Sequence, residues 1–203
     1  MGLFPISRPA RVAVLASGKG SNLNALIEAF PSDNELGQIV LVISNRRRAG
    51  ALKKAIENRI ESVYVPYQDT SDFEADVRNK LKQMQIDVIC LAGFMRILSP
   101  SFVTDYRGRI INIHPSLLPL FPGLNAQKQA IEAHVGRAGC TVHFVDAGVD
   151  TGPQLLQRCI EVYSTDNEKS LTERILVEEH MAYPEALRRL LRGEYEDVSW
   201  GSV

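Results

Sequence analysis

Cysteine is scarce in this chain: three in 203 residues, at Cys90, Cys140 and Cys159. The number is odd, no two form a C-x-x-C pair, and the spacing is wide, which argues against both a disulfide framework and structural zinc. A reducing, cytoplasmic setting is the expectation. A run of about 18 apolar residues is also missing, so no membrane span is expected. Residues 1–10 hold two prolines and no long apolar stretch, and read as a leader before the first strand rather than a secretion signal. Charge of one sign is not in excess either: 23 Lys and Arg stand against 24 Asp and Glu, a formal net charge of -1. That balance argues against a general nucleic-acid footprint, and any anion site has to be local. The histidines show no metal-ligand spacing such as H-x-x-x-H, so no metal is expected. Repeats, low-complexity tracts and linkers are absent as well.

What the chain does have is 45% hydrophobic residues, enough for a substantial core, arranged in a recurring rhythm. Strands are expected at Arg11–Ala16, Ile39–Ser44, Ser62–Val65, Asp87–Ala92 and Arg109–Ile113. Helices are expected between them at Ser21–Phe30, Ala49–Asn58, Asp72–Gln83 and Ser99–Tyr106, the last opened by a serine cap with Pro100 in first position. Alternation of this kind implies an α/β fold with a mainly parallel, doubly wound, Rossmann-like sheet. The second half changes character. A helix at Asn125–Val135 is followed by two extended runs, Thr141–Val145 and Gln154–Val162, predicted to pair as an antiparallel extension. One long C-terminal helix spans Asn167–Arg192, with a bend expected at Pro184. The simplest organisation is a single domain over 11–203, with a nucleotide-binding half at 11–113 and a second half at 114–203.

Three loops carry chemistry. In Asn112-Ile113-His114-Pro115-Ser116-Leu117-Leu118-Pro119, residues 112 and 114 point the same way on a strand. A carboxamide can donate to a developing oxyanion, and an imidazole can move protons near neutral pH. Acyl-type chemistry follows from the pair. Ser17-Gly18-Lys19-Gly20-Ser21-Asn22 joins the first strand to the first helix, where free N–H groups suit a phosphate; a plain strand-to-helix turn explains it equally well. It is no dinucleotide fingerprint, because Leu23 stands where the third glycine would be, and no P-loop. Asp146-Ala147-Gly148-Val149-Asp150-Thr151-Gly152-Pro153 is rich in turn formers, and a carboxylate from it can hold an imidazole in one tautomer. Arg46, Arg47 and Arg48 read as a solvated run or as a phosphate neutraliser, the latter being the basis of an NADP-dependent oxidoreductase alternative. Taken singly, His134, His143 and His180 read as structural or exposed.

Together these segments resemble the glycinamide ribonucleotide formyltransferases of purine synthesis. The resemblance is carried by S-G-K-G-S-N (Ser17–Asn22), L-A-G-F-M-R-I-L-S-P (Leu91–Pro100), N-I-H-P-S-L-L-P (Asn112–Pro119), Pro122–Leu124, T-V-H-F (Thr141–Phe144) and Asp146–Pro153, in family order from about Arg11 to Arg192. It implies formyl transfer from 10-formyltetrahydrofolate, as co-substrate, to the amine of phosphoribosylglycinamide. It further implies Asn112 on the formyl oxygen, His114 as general acid and Asp150 as its partner. Gly20, Ser21 and Asn22 would hold the substrate phosphate, and Glu179 the ribose. Met95, Arg96, Ile97 and Leu98 would bind the pterin by backbone hydrogen bonds and apolar contact. The loop Asp146, Ala147, Gly148, Val149 and Asp150 would close over the folate, with Thr141 and His143 supporting the site. The implied partners are small molecules, with no nucleic acid, no membrane and no metal, in a monomer or homodimer. Two positions depart from the pattern: Asn125 follows Leu124 where many relatives carry histidine, and Thr70 lies nearest to where some carry a folate-tail arginine. The related deformylase carries an added N-terminal domain, and methionyl-tRNA formyltransferase a C-terminal RNA-binding domain. About ten residues precede the first strand and the sequence stops at 203, which makes both less expected. A non-catalytic binding module of the same fold is disfavoured by Asn112, His114 and Asp150 occurring together.

Overall fold

The computed structural model describes residues 4–195. Seven strands form one sheet in the order β3-β2-β1-β4-β5-β6-β7. Five are parallel: β1 (Ala10–Leu15), β2 (Gly37–Ser44), β3 (Glu61–Tyr64), β4 (Val88–Leu91) and β5 (Ile110–His114). The last two, β6 (Arg137–Phe144) and β7 (Gln154–Glu161), add antiparallel. The connecting helices are α1 (Ser21–Ala29), α2 (Gly50–Glu57), α3 (Thr70–Gln83), α4 (Pro100–Asp105) and α5 (Ala126–Glu132), and α6 (Glu168–Leu191) follows the sheet. This is the expected doubly wound α/β sheet with its antiparallel extension and long C-terminal helix.

Strand alternation splits the core in two. Val12, Val14, Val88, Cys90, Ile111 and Ile113 pack with Leu23 and Leu26 of α1 and Leu171, Ile175 and Leu187 of α6. Ala13, Leu15, Ile89, Leu91 and Ile110 pack on the other face with Phe73, Val77 and Leu81 of α3 and Phe102 of α4. Strands buried on both faces read as continuous apolar runs, which is why the parallel half is so clear in the sequence. The same period of two sets Asn112 and His114 on the face of β5 shared by Ile110, opposite α6. β1 lies between β2 and β4, so its outgoing loop and that of β4 part at the switch point and leave a crevice beyond the carboxyl ends of the strands.

Several boundaries differ from the sequence reading for local reasons. Helix α3 starts at Thr70, because the Asp69 side chain accepts the Asp72 N–H and caps it there. Strand β6 starts at Arg137 rather than Thr141, since Arg137 to Cys140 pair with Arg158 to Glu161 of β7. Gly139 permits this: a Cβ there would lie 2.0 Å from the Arg158 carbonyl oxygen. Helix α6 opens on a capping box of Asn167 and Ser170 and runs through Pro184. The fully buried Tyr183 hydroxyl reaches from it to the carbonyl oxygens of Leu91 (2.9 Å), the last residue of β4, and Ile111 (3.0 Å), the second residue of β5. The leader is not detached. Phe4 is buried in the core, Arg8 pairs with Asp87 at 2.7 Å, and Ala10 already belongs to β1. Residues 1–3 and 196–203 of the expected leader and domain lie outside the described residues.

Candidate active site

The N-I-H-P segment ends β5 and pairs with β6, so Asn112 stands opposite His143 and His114 opposite Thr141. Asn112 Nδ2 is 3.2 Å from His143 Nε2, and His143 Nδ1 is 2.7 Å from the Phe144 carbonyl oxygen. A carbonyl only accepts, so Nδ1 carries a proton, and in the neutral ring Nε2 accepts from the Asn112 amide. His143 thus aims that amide, and its second N–H remains for a ligand. Asp150 Oδ1 lies 3.5 Å from the same Nε2, and it becomes the partner when the ring takes a second proton.

His114 is buried between two acceptors. Its Nε2 is 2.9 Å from the Phe121 carbonyl oxygen, and its Nδ1 is 3.2 Å from Asp150 Oδ2. Neither partner can donate while Asp150 is ionised, so both bonds form together only with an imidazolium. Asp150 also accepts the Gly123 N–H at 2.8 Å. Burial pushes its carboxyl up, but the neighbouring His143 ring, the hydrogen bond from Gly123 and the charge of His114 outweigh that, and its pKa lies below the usual value. The residue sits at φ 55, a left-handed conformation that Asp tolerates better than most. Its loop is closed by Asp146 Oδ1, which accepts from Gly148 N–H at 3.1 Å and Thr151 Oγ1 at 2.8 Å. Thr141 supports from behind: its hydroxyl donates to the Ser116 carbonyl and accepts from Leu118 N–H.

At the switch point, Gly20 adopts φ 76 directly against α2, and a Cβ there would come within 2.8 Å of Ala51 Cα. Helix α1 then starts at Ser21 with no side-chain cap and no acidic residue in its first turn, leaving N–H groups for an anion. Asn22 Nδ2 donates to Glu179 Oε2 at 2.7 Å, while the buried Asn22 Oδ1 has no partner among the described residues. Burial raises the Glu179 pKa, against a smaller lowering by Asn22. Two acceptor oxygens in one buried place call for a ligand with hydroxyl donors.

The segment after β4 divides. Met95 and Ile97 are exposed, whereas Leu98 is buried in the α3/α4 core. The Met95 N–H is already taken by Ser17 Oγ at 2.9 Å, which leaves its carbonyl oxygen and its exposed side chain for the two expected modes. Ser17 Oγ in turn donates to Asn45 Oδ1 at 2.7 Å. Arg96 lies over the Tyr67 ring, 4.3 Å from its centroid. Ser99 N–H donates to the buried Glu74, whose other oxygen takes the Ser99 hydroxyl. Ala147, Gly148 and Val149 are exposed across the crevice. Asn125 is exposed with its side chain capping nothing, and Thr70 bonds Tyr67 OH at 2.6 Å.

Sequence reasoning missed the Phe121 carbonyl, the Gly123 N–H, the Asn22 side chain and the Ser17 and Glu74 clamps. Backbone groups leave no mark in a sequence, but Ser17, polar straight after the apolar run Val12–Ala16, was a readable signal. The formyl transferase family profile matches residues 10–187. The chain belongs to the formyl transferase family. Within it, the chain is 49% identical over 192 residues to the trifunctional purine biosynthetic protein adenosine-3 of Drosophila melanogaster, covering 92% of the chain and 14% of that protein. It is 37% identical over 195 residues to the phosphoribosylglycinamide formyltransferase of Escherichia coli (strain K12), covering 93% of the chain and 92% of that protein. The solved phosphoribosylglycinamide formyltransferase of Anaplasma phagocytophilum superposes with a TM-score of 0.87 at 43% identity, over 90% of this chain and 87% of that one. Among the described residues, no helix of this family member is long and apolar enough to cross a membrane.

Proposed function

We propose that this chain transfers the formyl group of 10-formyltetrahydrofolate to the amine of phosphoribosylglycinamide. The observation that carries the reading is the constellation of Asn112 aimed by His143 and His114 held by Asp150, open to the crevice that also holds the uncapped start of α1. The names of whole-length relatives point the same way.

In the transfer, the substrate amine forms a bond to the formyl carbon and loses a proton. The carbon–nitrogen bond to the folate breaks, and that nitrogen gains a proton. Asn112 donates its free N–H to the formyl oxygen as negative charge builds, a contribution typically worth about 10²–10³ in rate. His114 delivers the proton to the departing nitrogen, and Asp150 keeps the ring charged and oriented. The amine is itself the nucleophile, so no serine or cysteine is required. The N–H groups of Gly20, Ser21 and Asn22 hold the phosphate, and Glu179 with the Asn22 carbonyl oxygen takes the ribose hydroxyls. Met95 and Ile97, exposed at 54% and 72%, with Val149 at 49%, provide the apolar surfaces a flat pterin covers. Arg96 and the Leu98 backbone extend the same wall, and the loop from Asp146 to Asp150 is its other side.

The test is a formyl-transfer assay run with and without phosphoribosylglycinamide. Folate product that depends on the nucleotide supports the reading. Product formed equally without it means hydrolysis of the donor and refutes the transfer.

A further inference from the structure

Asn112 and His114 each head a row of residues across the antiparallel part of the sheet. His114 stands opposite Thr141 of β6, and Thr141 opposite Gln157 of β7; Asn112 stands opposite His143, and His143 opposite Gln154. Gln154 and Gln157 are three residues apart, and on a regular strand they would point to opposite faces. The register slips between Val142 and His143, where Leu155 has no partner on β6. A bulge of this kind re-aims side chains. Leu155 and Leu156 both pack into the core on the α6 side, and both glutamines reach the loop after β5. Each glutamine is exposed at the sheet edge, yet its amide is committed inward.

Gln157 Nε2 donates to the Leu118 carbonyl oxygen at 2.8 Å and to Thr141 Oγ1 at 2.9 Å, and Gln154 Nε2 donates to the same Leu118 oxygen at 3.0 Å. Two donors fill both lone pairs of that carbonyl. The buried Leu118 also gives its N–H to Thr141 Oγ1, so it is pinned at both of its polar groups. Three residues on, Phe121 supplies the carbonyl that takes the His114 Nε2–H. Residues 115–123 contain neither helix nor strand, and Phe121 sits at φ 55, a conformation a bulky residue keeps only where its surroundings impose it. Asp150 holds the opposite ring nitrogen, His143 shares that carboxylate, and neither is bonded to a glutamine. We propose that Gln157 and Gln154 are positioning residues for His114: by pinning Leu118 they hold the Phe121 carbonyl on Nε2 and keep the ring in its proton-bearing form. The effect on rate rests on the proposed formyl transfer; the effect on the ring does not.

The experiment compares wild type with Gln154→Met/Gln157→Met, which keeps side-chain length at the exposed edge and removes the donors. The histidine rings are labelled with nitrogen-15, and the His114 signals are assigned by their loss in His114→Gln. Exchange of the ring protons with water is then followed by NMR with no ligand present. Wild type is expected to show an Nε2–H protected from exchange. In the double variant it exchanges about tenfold faster, while the Nδ1–H beside Asp150 stays protected. Formyl transfer at neutral pH should fall about tenfold in kcat, the contribution of one hydrogen bond to a charged group, with both KM values within about threefold. Protection that survives in the double variant overturns the proposal whatever happens to the unfolding midpoint, because the glutamines then only stabilise the fold. Lost protection with an unchanged kcat overturns it as well, and so does a folate KM that rises while kcat is kept. If the double variant does not fold, Gln154→Met is read in its place; Gln157 keeps both bonds there, and the expected changes are about threefold. If wild type transfers no formyl group, the proposed function fails, and the ring-proton exchange still decides on the glutamines.

Discussion

Replacing Asp150 by asparagine removes one charge and almost nothing else. Asp150 Oδ2 takes both the Gly123 N–H and the His114 ring, so an amide oxygen in that place keeps the loop contact. The amide nitrogen then falls where Oδ1 faces His143 Nε2, whose one lone pair the Asn112 amide already fills, so it gains no new bond there. What is lost is the counter-charge of the His114 imidazolium. A charge-assisted hydrogen bond contributes about 1.5–3 kcal/mol and a neutral one about 0.5–1.5 kcal/mol, so the imidazolium loses roughly 1–2 kcal/mol. Loss of a positioned acid costs about 10²–10⁴ in rate. Since the ring itself remains, the expected fall in kcat is what that loss of roughly 1–2 kcal/mol gives, about 5- to 30-fold, with both KM values within about threefold. Steady-state formyl transfer at neutral pH measures this. The stability profile gives an independent reading. The folded Asp150 pKa is lowered, so its contribution is present above the ordinary carboxylate value of about 3.9 and is lost as pH falls through the lowered value. Asp150→Asn therefore flattens the acid limb of the stability curve. A kcat within threefold of wild type, with the fold intact, would refute the imidazolium role.

Asn112→Ala should lower kcat by about 10²–10³ with an unchanged unfolding midpoint, as one oxyanion donor is removed; near-normal turnover would count against that role. Glu179→Gln keeps the bond from Asn22 but ends the burial of a charge. Because the folded Glu179 pKa is raised, its ionisation costs stability as pH climbs from the unfolded value through the folded one. Thermal unfolding at pH 8 should therefore be no lower in the variant, while its nucleotide KM rises; a drop in midpoint would contradict this. Tyr183→Phe leaves two buried carbonyls without their hydroxyl and should cost about 1–3 kcal/mol by denaturant unfolding. Gly20→Ala should lose more in nucleotide affinity than in folate affinity. It strains a φ of 76 and pushes the anion loop off Ala51.

The parallel half of the fold was legible because β1, β2, β4 and β5 are largely buried on both faces, and hydrophobicity marks them; only the edge strand β3 is partly exposed. The antiparallel half was legible in type but not in extent. Arg137-Ala138-Gly139-Cys140 looks like loop until β7 pairs with it, a long-range condition that no local pattern records. Within the site, Asn112 and His114 announce themselves by alternation, and Asp150 sits in a loop whose turn residues are conspicuous. What escaped are groups defined by position rather than by side chain, such as the Phe121 carbonyl and the Gly123 N–H. Glu74 escaped for another reason. In the sequence it is one of several acids on a polar helix, and only packing reveals that it is buried against Ser99.

The orientation of Asn112 comes from His143, which is 31 residues away and on the strand that joins the sheet in the opposite direction. Asp150 comes from the turn after it. A chain in which only the five parallel strands have assembled already has the loops proposed for the phosphate and the pterin, yet carries an amide without His143 and an imidazole without Asp150. It could hold part of each ligand and do nothing with them. Recovery of turnover during refolding therefore reports the docking of β6, and cannot run ahead of it however early ligand binding returns.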